Sequence, residues 1–148
     1  MQATQEEAQS REAELTTIRD TLEKTVMMAE YDLEGRIIKI NDLMAKTYGH
    51  SPEHMLGKFQ DAFVTQDDAS RRSFLKFWQE VIRGVTKKRL HEIVKRDKTV
   101  YLNETYIPIM EDDEIDRVLN IAVETTHKVV LDKKITQLMN KIGELKSE

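Results

Sequence analysis

The spacing of apolar residues changes twice along the chain, and that change constrains the fold more than any other feature. Near the C-terminus Leu131, Ile135, Leu138, Ile142 and Leu145 follow at intervals of 4, 3, 4 and 3, the alternation that keeps one seam of a helix turned toward a partner helix. At the other end, Gln2 to about Met27 holds no Gly or Pro, and Ala8, Leu15, Ile18 and Leu22 fall at heptad-compatible positions. That stretch reads as one amphipathic helix with a narrow apolar stripe. Both ends are therefore coiled-coil-type segments. Pairing with a second copy of the chain is the favoured reading, and packing back on the chain's own domain is the alternative.

Between these helices the period drops to two. Glu30 to Asn41 reads as two short strands around Glu34-Gly35, with Tyr31 and Leu33 before the turn and Ile37, Ile38 and Ile40 after it. Asp42 to Tyr48 is a short helical piece closed by Gly49, and Ser51 with Pro52 opens another that ends near Gly57. Asp67 and Asp68 sit where a helix start favours acidic side chains, and Phe74, Leu75, Trp78, Val81 and Ile82 recur at helical spacing up to Gly84. Three strands are expected after it, Leu90 to Lys95, Thr99 to Met110 and Arg117 to Glu124. Consecutive strands joined by short loops indicate an α+β chain, an antiparallel sheet with helices on one face.

At 148 residues the chain suits one compact domain plus accessory helices. Charged residues make up 34%, above the usual level of about 25%, and the excess belongs on exposed helix faces. A net charge of −4 gives no electrostatic reason to expect nucleic acid or an anionic membrane as partner. The absence of cysteine excludes disulfides, thiolate catalysis and photochemistry through a thiol adduct, and it fits a cytoplasmic location. No apolar run reaches the roughly 18 residues needed to cross a bilayer, and the start is polar rather than signal-like, so no direct membrane insertion is expected.

The order of these elements resembles the PAS domain. Tyr31-Asp32-Leu33-Glu34-Gly35-Arg36-Ile37-Ile38-Lys39-Ile40-Asn41 looks like the family's opening hairpin, whose terminal Asn begins the next helix. Tyr48-Gly49-His50-Ser51-Pro52-Glu53 and Leu56-Gly57-Lys58 are similar to its "GYSPEEL-IGK" segment. Phe77 to Gly84 resembles the helix end of PAS domains in bacterial chemoreceptors and related sensors. Tyr101-Leu102-Asn103-Glu104-Thr105-Tyr106-Ile107-Pro108-Ile109 is similar to their "W-L-x-A-x-Y-x-P-I" strand, and Ala122-Val123-Glu124-Thr125-Thr126 to their closing "A-x-D-x-T". The resemblance implies a five-stranded antiparallel sheet curled over helices around an internal pocket. It divides the chain into a linker helix (1–27), a PAS sensory domain (28–126) and a signalling helix (127–148). It further implies a homodimer, a fused or partner output domain, and a regulatory rather than catalytic role.

Within that frame Leu102, Glu104 and Tyr106 share one strand face, the one that borders the pocket in PAS relatives. A carboxylate there needs a partner. One reading has Glu104, with Asn120 from the neighbouring strand, orienting a small polar ligand; the weightier alternative turns Glu104 outward to a surface Lys or Arg. Trp78 is spaced from Phe74 as in flavin-binding PAS sensors. Their Arg-His-Pro run is replaced here by Thr65-Gln66-Asp67, so Trp78 reads as core, with flavin as a lesser possibility. Haem is disfavoured because Ala69 to Gly84 contains no His. His50 and His54 read as a solvent-exposed pair rather than metal ligands. The basic run Lys87-Lys88-Arg89, with Lys95, Arg96 and Lys98, reads as a solvated outer sheet face. Glu124 and Thr126 are assigned to signal transmission, with Thr126 capping the exit helix. An enzyme acting through Glu104 and His91 has no nucleophile or metal constellation behind it.

Overall fold

The structure, a computed structural model, describes residues 4–60 and 68–146. Its elements in chain order are α1 (Gln5–Thr25), β1 (Met27–Tyr31), β2 (Ile37–Ile40), α2 (Asp42–Tyr48), α3 (Pro52–Met55), α4 (Asp68–Val81), β3 (Lys87–Val94), β4 (Thr99–Glu111), β5 (Glu114–Glu124) and α5 (Thr126–Lys146). The strands form a single five-stranded sheet in the order β2-β1-β5-β4-β3, antiparallel throughout. The α+β architecture is therefore as expected, with some element boundaries shifted. Met27 belongs to β1 rather than to the first helix, and β3 and β5 begin at Lys87 and Glu114, each three residues earlier than its sequence pattern suggests.

Local chemistry accounts for the elements. Thr4 and Glu7 form a reciprocal capping box at the start of α1, at 3.2 and 3.3 Å, which satisfies two amide donors the helix cannot reach itself. The β1–β2 turn is built by Asp32, whose Oδ1 accepts from the Glu34 and Arg36 amides at 3.0 and 2.9 Å. Gly35 takes φ 96° there, a left-handed conformation that a side chain would strain. The short helices have side-chain caps, Asn41 on Met44 N and Ser51 on His54 N, and Pro52 stands in the first turn of α3. Asp67, read as part of the α4 start, lies outside the described residues.

The sheet buries one face against the short helices and α4. Ala29, Tyr31, Ile37, Val100, Leu102, Tyr106, Val118 and Ala122 meet Met44, Ala45 and Met55 from the short helices, with Trp78 and Val81 from α4. Apolar burial of this kind is worth roughly 1.5–3 kcal/mol per large side chain. The terminal helices contribute little of it. No residue of α1 is buried, and Leu15 is 62% exposed. Ile18, Leu22, Leu131, Ile135, Leu138 and Ile142 are also exposed. Leu145 lies in α5, but its side chain falls outside what is described. The exposed stripes rule out close packing of these side chains on the chain's own domain.

Candidate functional site: a buried polar cluster beside an aromatic cleft

Antiparallel register places Arg89 of β3 directly opposite Glu104 of β4, and Tyr106, two residues on, opposite Asn120 of β5. All four side chains belong to the inner face. Glu104 is 0% exposed, so the outward-facing reading of this residue is overturned. Its Oε1 accepts from Arg89 Nε at 2.9 Å and lies 3.2 Å from His91 Nδ1 and from the Tyr106 hydroxyl. Its Oε2 accepts from Asn120 Nδ2 at 2.8 Å and from Gln60 Nε2 at 3.4 Å. Arg89 is likewise not part of a solvated outer patch. Its guanidinium stacks 4.3 Å from the Phe74 ring centre and 5.5 Å from that of Tyr106, so aromatic faces and Glu104 together hold the charge.

The surrounding groups extend the network. Gln60 Nε2 donates to the Tyr48 hydroxyl at 2.6 Å, and Gln60 Oε1 accepts from the Tyr106 hydroxyl at 3.1 Å. Asn120 Nδ2 also donates to the Tyr31 hydroxyl at 3.2 Å, while Asn120 Oδ1, fully buried, has no partner among the described residues. Burial alone would push the Glu104 carboxyl upward. The hydrogen bond from His91 and the charge of Arg89 overcome it and hold the group at about 2. Burial, and then the Glu104 charge, push the phenols of Tyr31, Tyr48 and Tyr106 well above their ordinary value, so all three are neutral at physiological pH.

Next to this cluster lies a cleft of about 270 Å³ lined by Tyr31, Gly35, Phe59, Gln60, Phe74 and Trp78, with Glu34, Arg71 and Leu75 at its margins. Trp78 is buried against Tyr31 and Tyr106 in edge-to-face contacts and donates its indole N–H to Leu33 O at 2.9 Å. It is both core and cleft wall. Tyr31 and Gln60 belong to the cluster and to the cleft at once. Leu102 packs in the core below, fully buried. Sequence reasoning missed Gln60, Tyr31 and Tyr48, and misplaced Arg89. For Arg89 a signal existed, because Arg89, His91 and the core residue Ile93 alternate in one phase along β3. Gln60 follows an isolated bridge, Arg36 to Phe59, and has no periodic pattern around it.

Two junctions connect this interior to the terminal helices. At the C-terminal one, the Thr126 hydroxyl accepts from Tyr101 N at 3.0 Å and donates to Glu124 at 2.9 Å. Thr126 therefore ties α5 to β4 instead of capping the helix as expected; the residue in the cap position is Thr125, whose carbonyl accepts from Val129 N. Lys133, two turns into α5, donates to the Tyr101 hydroxyl at 2.7 Å and lies over its ring. At the N-terminal junction Asn41 makes four bonds. Its Nδ2 donates to Glu23 O and Val26 O at the end of α1, and its Oδ1 accepts from Met28 N in β1 and Met44 N in α2. The two junctions share one end of the sheet, because Met27 pairs with Ala122.

The remaining candidates stand apart. The rings of His50 and His54 stack 5.0 Å apart on the exposed surface. Among the described residues no cluster of His, Asp and Glu could hold a metal ion, and no helix is long and apolar enough to cross a membrane. Thr65-Gln66-Asp67, which entered the flavin argument, lies outside the described residues.

Comparison with known proteins places this geometry. The family model described as "PAS fold" matches residues 24–130, more than half of the chain. The PAS domain of BvgS from Bordetella pertussis is similar in structure, with a TM-score of 0.61 and 20% identity over 87% of this chain and 98% of that one. The PAS domain of an HTR-like protein from Haloarcula marismortui gives a TM-score of 0.57 and 20% identity, covering 78% of this chain and 98% of that one. VqmA bound to DPO gives 0.62 and 17%, covering 74% of this chain and 57% of that one. No curated protein matches the sequence.

Proposed function

The chain belongs to the PAS fold family, and from that premise we propose that it is a sensory module whose interior takes a small polar ligand and whose terminal helices carry the response. The observation behind this reading is the ion pair of fully buried Glu104 with largely buried Arg89 beside an open aromatic cleft. A buried ion pair contributes little net stability compared with apolar residues of the same volume, so its presence beside a cleft favours recognition over packing. The cleft is slightly smaller than the usual range of ligand pockets, about 300–1,000 Å³, which favours a compact molecule over a flavin. VqmA, similar in fold, is bound to DPO.

The response runs through the junctions. Tyr101 is three residues from Glu104 on β4 and is tied to α5 by Thr126 and Lys133. A ligand that favours one arrangement of β4 biases the seating of α5 by its difference in affinity for the two arrangements. The exposed stripes of α1 and α5 are the surfaces through which two copies would pair and pass that change to an output domain, fused or separate. We place the module in the cytoplasm and give it no catalytic role. Native mass spectrometry of freshly purified protein, followed by thermal shift against a metabolite panel, tests the reading. A dimer carrying or gaining a small ligand is expected. A dimer that carries none and responds to no metabolite would instead fit a ligand-free spacer, a reading favoured by the fact that the chain's own groups already occupy both Glu104 oxygens.

A further inference from the structure

Gln60 occupies the boundary between the cleft and the polar cluster, and its carboxamide is bonded on both of its polar atoms. The amide N–H groups donate to the Tyr48 hydroxyl and toward Glu104, and the carbonyl accepts from Tyr106. The side chain is 5% exposed and still forms part of the cleft wall. Residue 60 lies outside the sheet; its backbone follows the single bridge at Phe59 and enters a 3-10 turn at the edge of the described residues. An amide is thus held between Tyr48, Glu104 and Tyr106 by a residue that belongs to none of the five strands. The cleft walls beside it, Trp78, Phe74, Tyr31 and Phe59, are flat aromatic faces.

We propose that the Gln60 carboxamide is an internal stand-in for the ligand, and that the ligand is a compact planar heterocycle bearing a lactam edge, an N–H next to a C=O in one ring. Such an edge reproduces the two short bonds Gln60 makes, a donor for the Tyr48 hydroxyl and an acceptor for Tyr106, and gives up only the 3.4 Å contact to Glu104. The ring stacks on the aromatic walls, and the volume of about 270 Å³ admits a molecule of that size. Asn120 Oδ1, buried and without a partner among the described residues, is an acceptor that a second ring N–H would satisfy. Displacing Gln60 keeps two of its three hydrogen bonds and loses the longest, and the stacking offsets that loss. The inference rests on the interior being the ligand site.

The chain's single tryptophan, Trp78, stands in the cleft wall and reports occupancy by its fluorescence. Uracil, 1,3-dimethyluracil and toluene are titrated into the wild-type protein and Gln60→Ala. The expected result is that uracil binds both proteins in preference to 1,3-dimethyluracil, and binds Gln60→Ala about tenfold more tightly than wild type because the internal competitor is gone. Equal affinity for uracil and its dimethyl analogue overturns the proposal, as does a Gln60→Ala affinity no better than that of wild type. Should Gln60→Ala fail to fold, the wild-type preference for uracil decides the matter by itself. If the three probes alter Trp78 alike, the lactam inference falls and the ligand cleft stands. If none alters it in either protein, both fall.

Discussion

Glu104 carries more of the interior than any other residue, because among the described residues it is the only buried carboxylate, and Arg89, His91, Tyr106, Gln60 and Asn120 are all turned toward it. Replacing it by Ala strands the Arg89 charge among aromatic rings, and loss of one partner of a buried pair costs about 3–5 kcal/mol; urea unfolding should show a drop of that size. Its pH dependence has a definite sign. The folded-state pKa is depressed from 4.5 to about 2, so the unfolded chain binds the proton first. The stability Glu104 contributes is whole above pH 4.5 and is lost as the pH falls toward 2. Glu104→Gln should flatten that acid limb in a stability–pH profile, whereas an unchanged profile would mean that the pair is open to water. The alternation of β4 was enough to put Leu102, Glu104 and Tyr106 on one face. Which way that face turned depended on a partner fifteen residues away in sequence, and Arg89 looked like one more member of a basic run.

At the scale of elements, the junctions decide how the helices are seated. Asn41 bonds α1, β1 and α2 simultaneously, so Asn41→Ala should cost about 2 kcal/mol in stability and speed amide exchange at the end of α1. Tyr101→Phe keeps the ring under Lys133 and removes only its hydroxyl, and should speed amide exchange over the first two turns of α5. The β4–β5 turn carries Asp112 and Asp113 at φ 52° and 62°, a left-handed pair that suits glycine better. Asp113→Gly should therefore raise thermal stability, by about 0.5–1 kcal/mol. The elements themselves were largely legible in the sequence, since caps such as Asn41 and Ser51 and the change of apolar period are local signals. What was not legible were contacts that cross the fold: the Thr126 hydroxyl turned to β4 in preference to its own helix, and β3 began at Lys87, where basic residues on both faces hide the strand pattern.

For the whole molecule, the exposed stripes of α1 and α5 leave apolar side chains in water at positions that a second copy would cover. Replacing Leu131, Ile135 and Leu138 together by Ser should convert the dimer expected in sedimentation to monomer without unfolding the sheet, because none of the three is buried in it. The larger claim is that the polar interior and the C-terminal helix form one mechanical unit, joined along β4 from Glu104 to Tyr101 and from there to Thr126 and Lys133. Hydrogen–deuterium exchange of Glu104→Gln against wild type tests it most directly, with β2 as internal reference for any general loss of stability. The account predicts faster exchange over residues 126–133 than the reference explains. Exchange that quickens in β3 and β4 while residues 126–133 keep wild-type protection would contradict it.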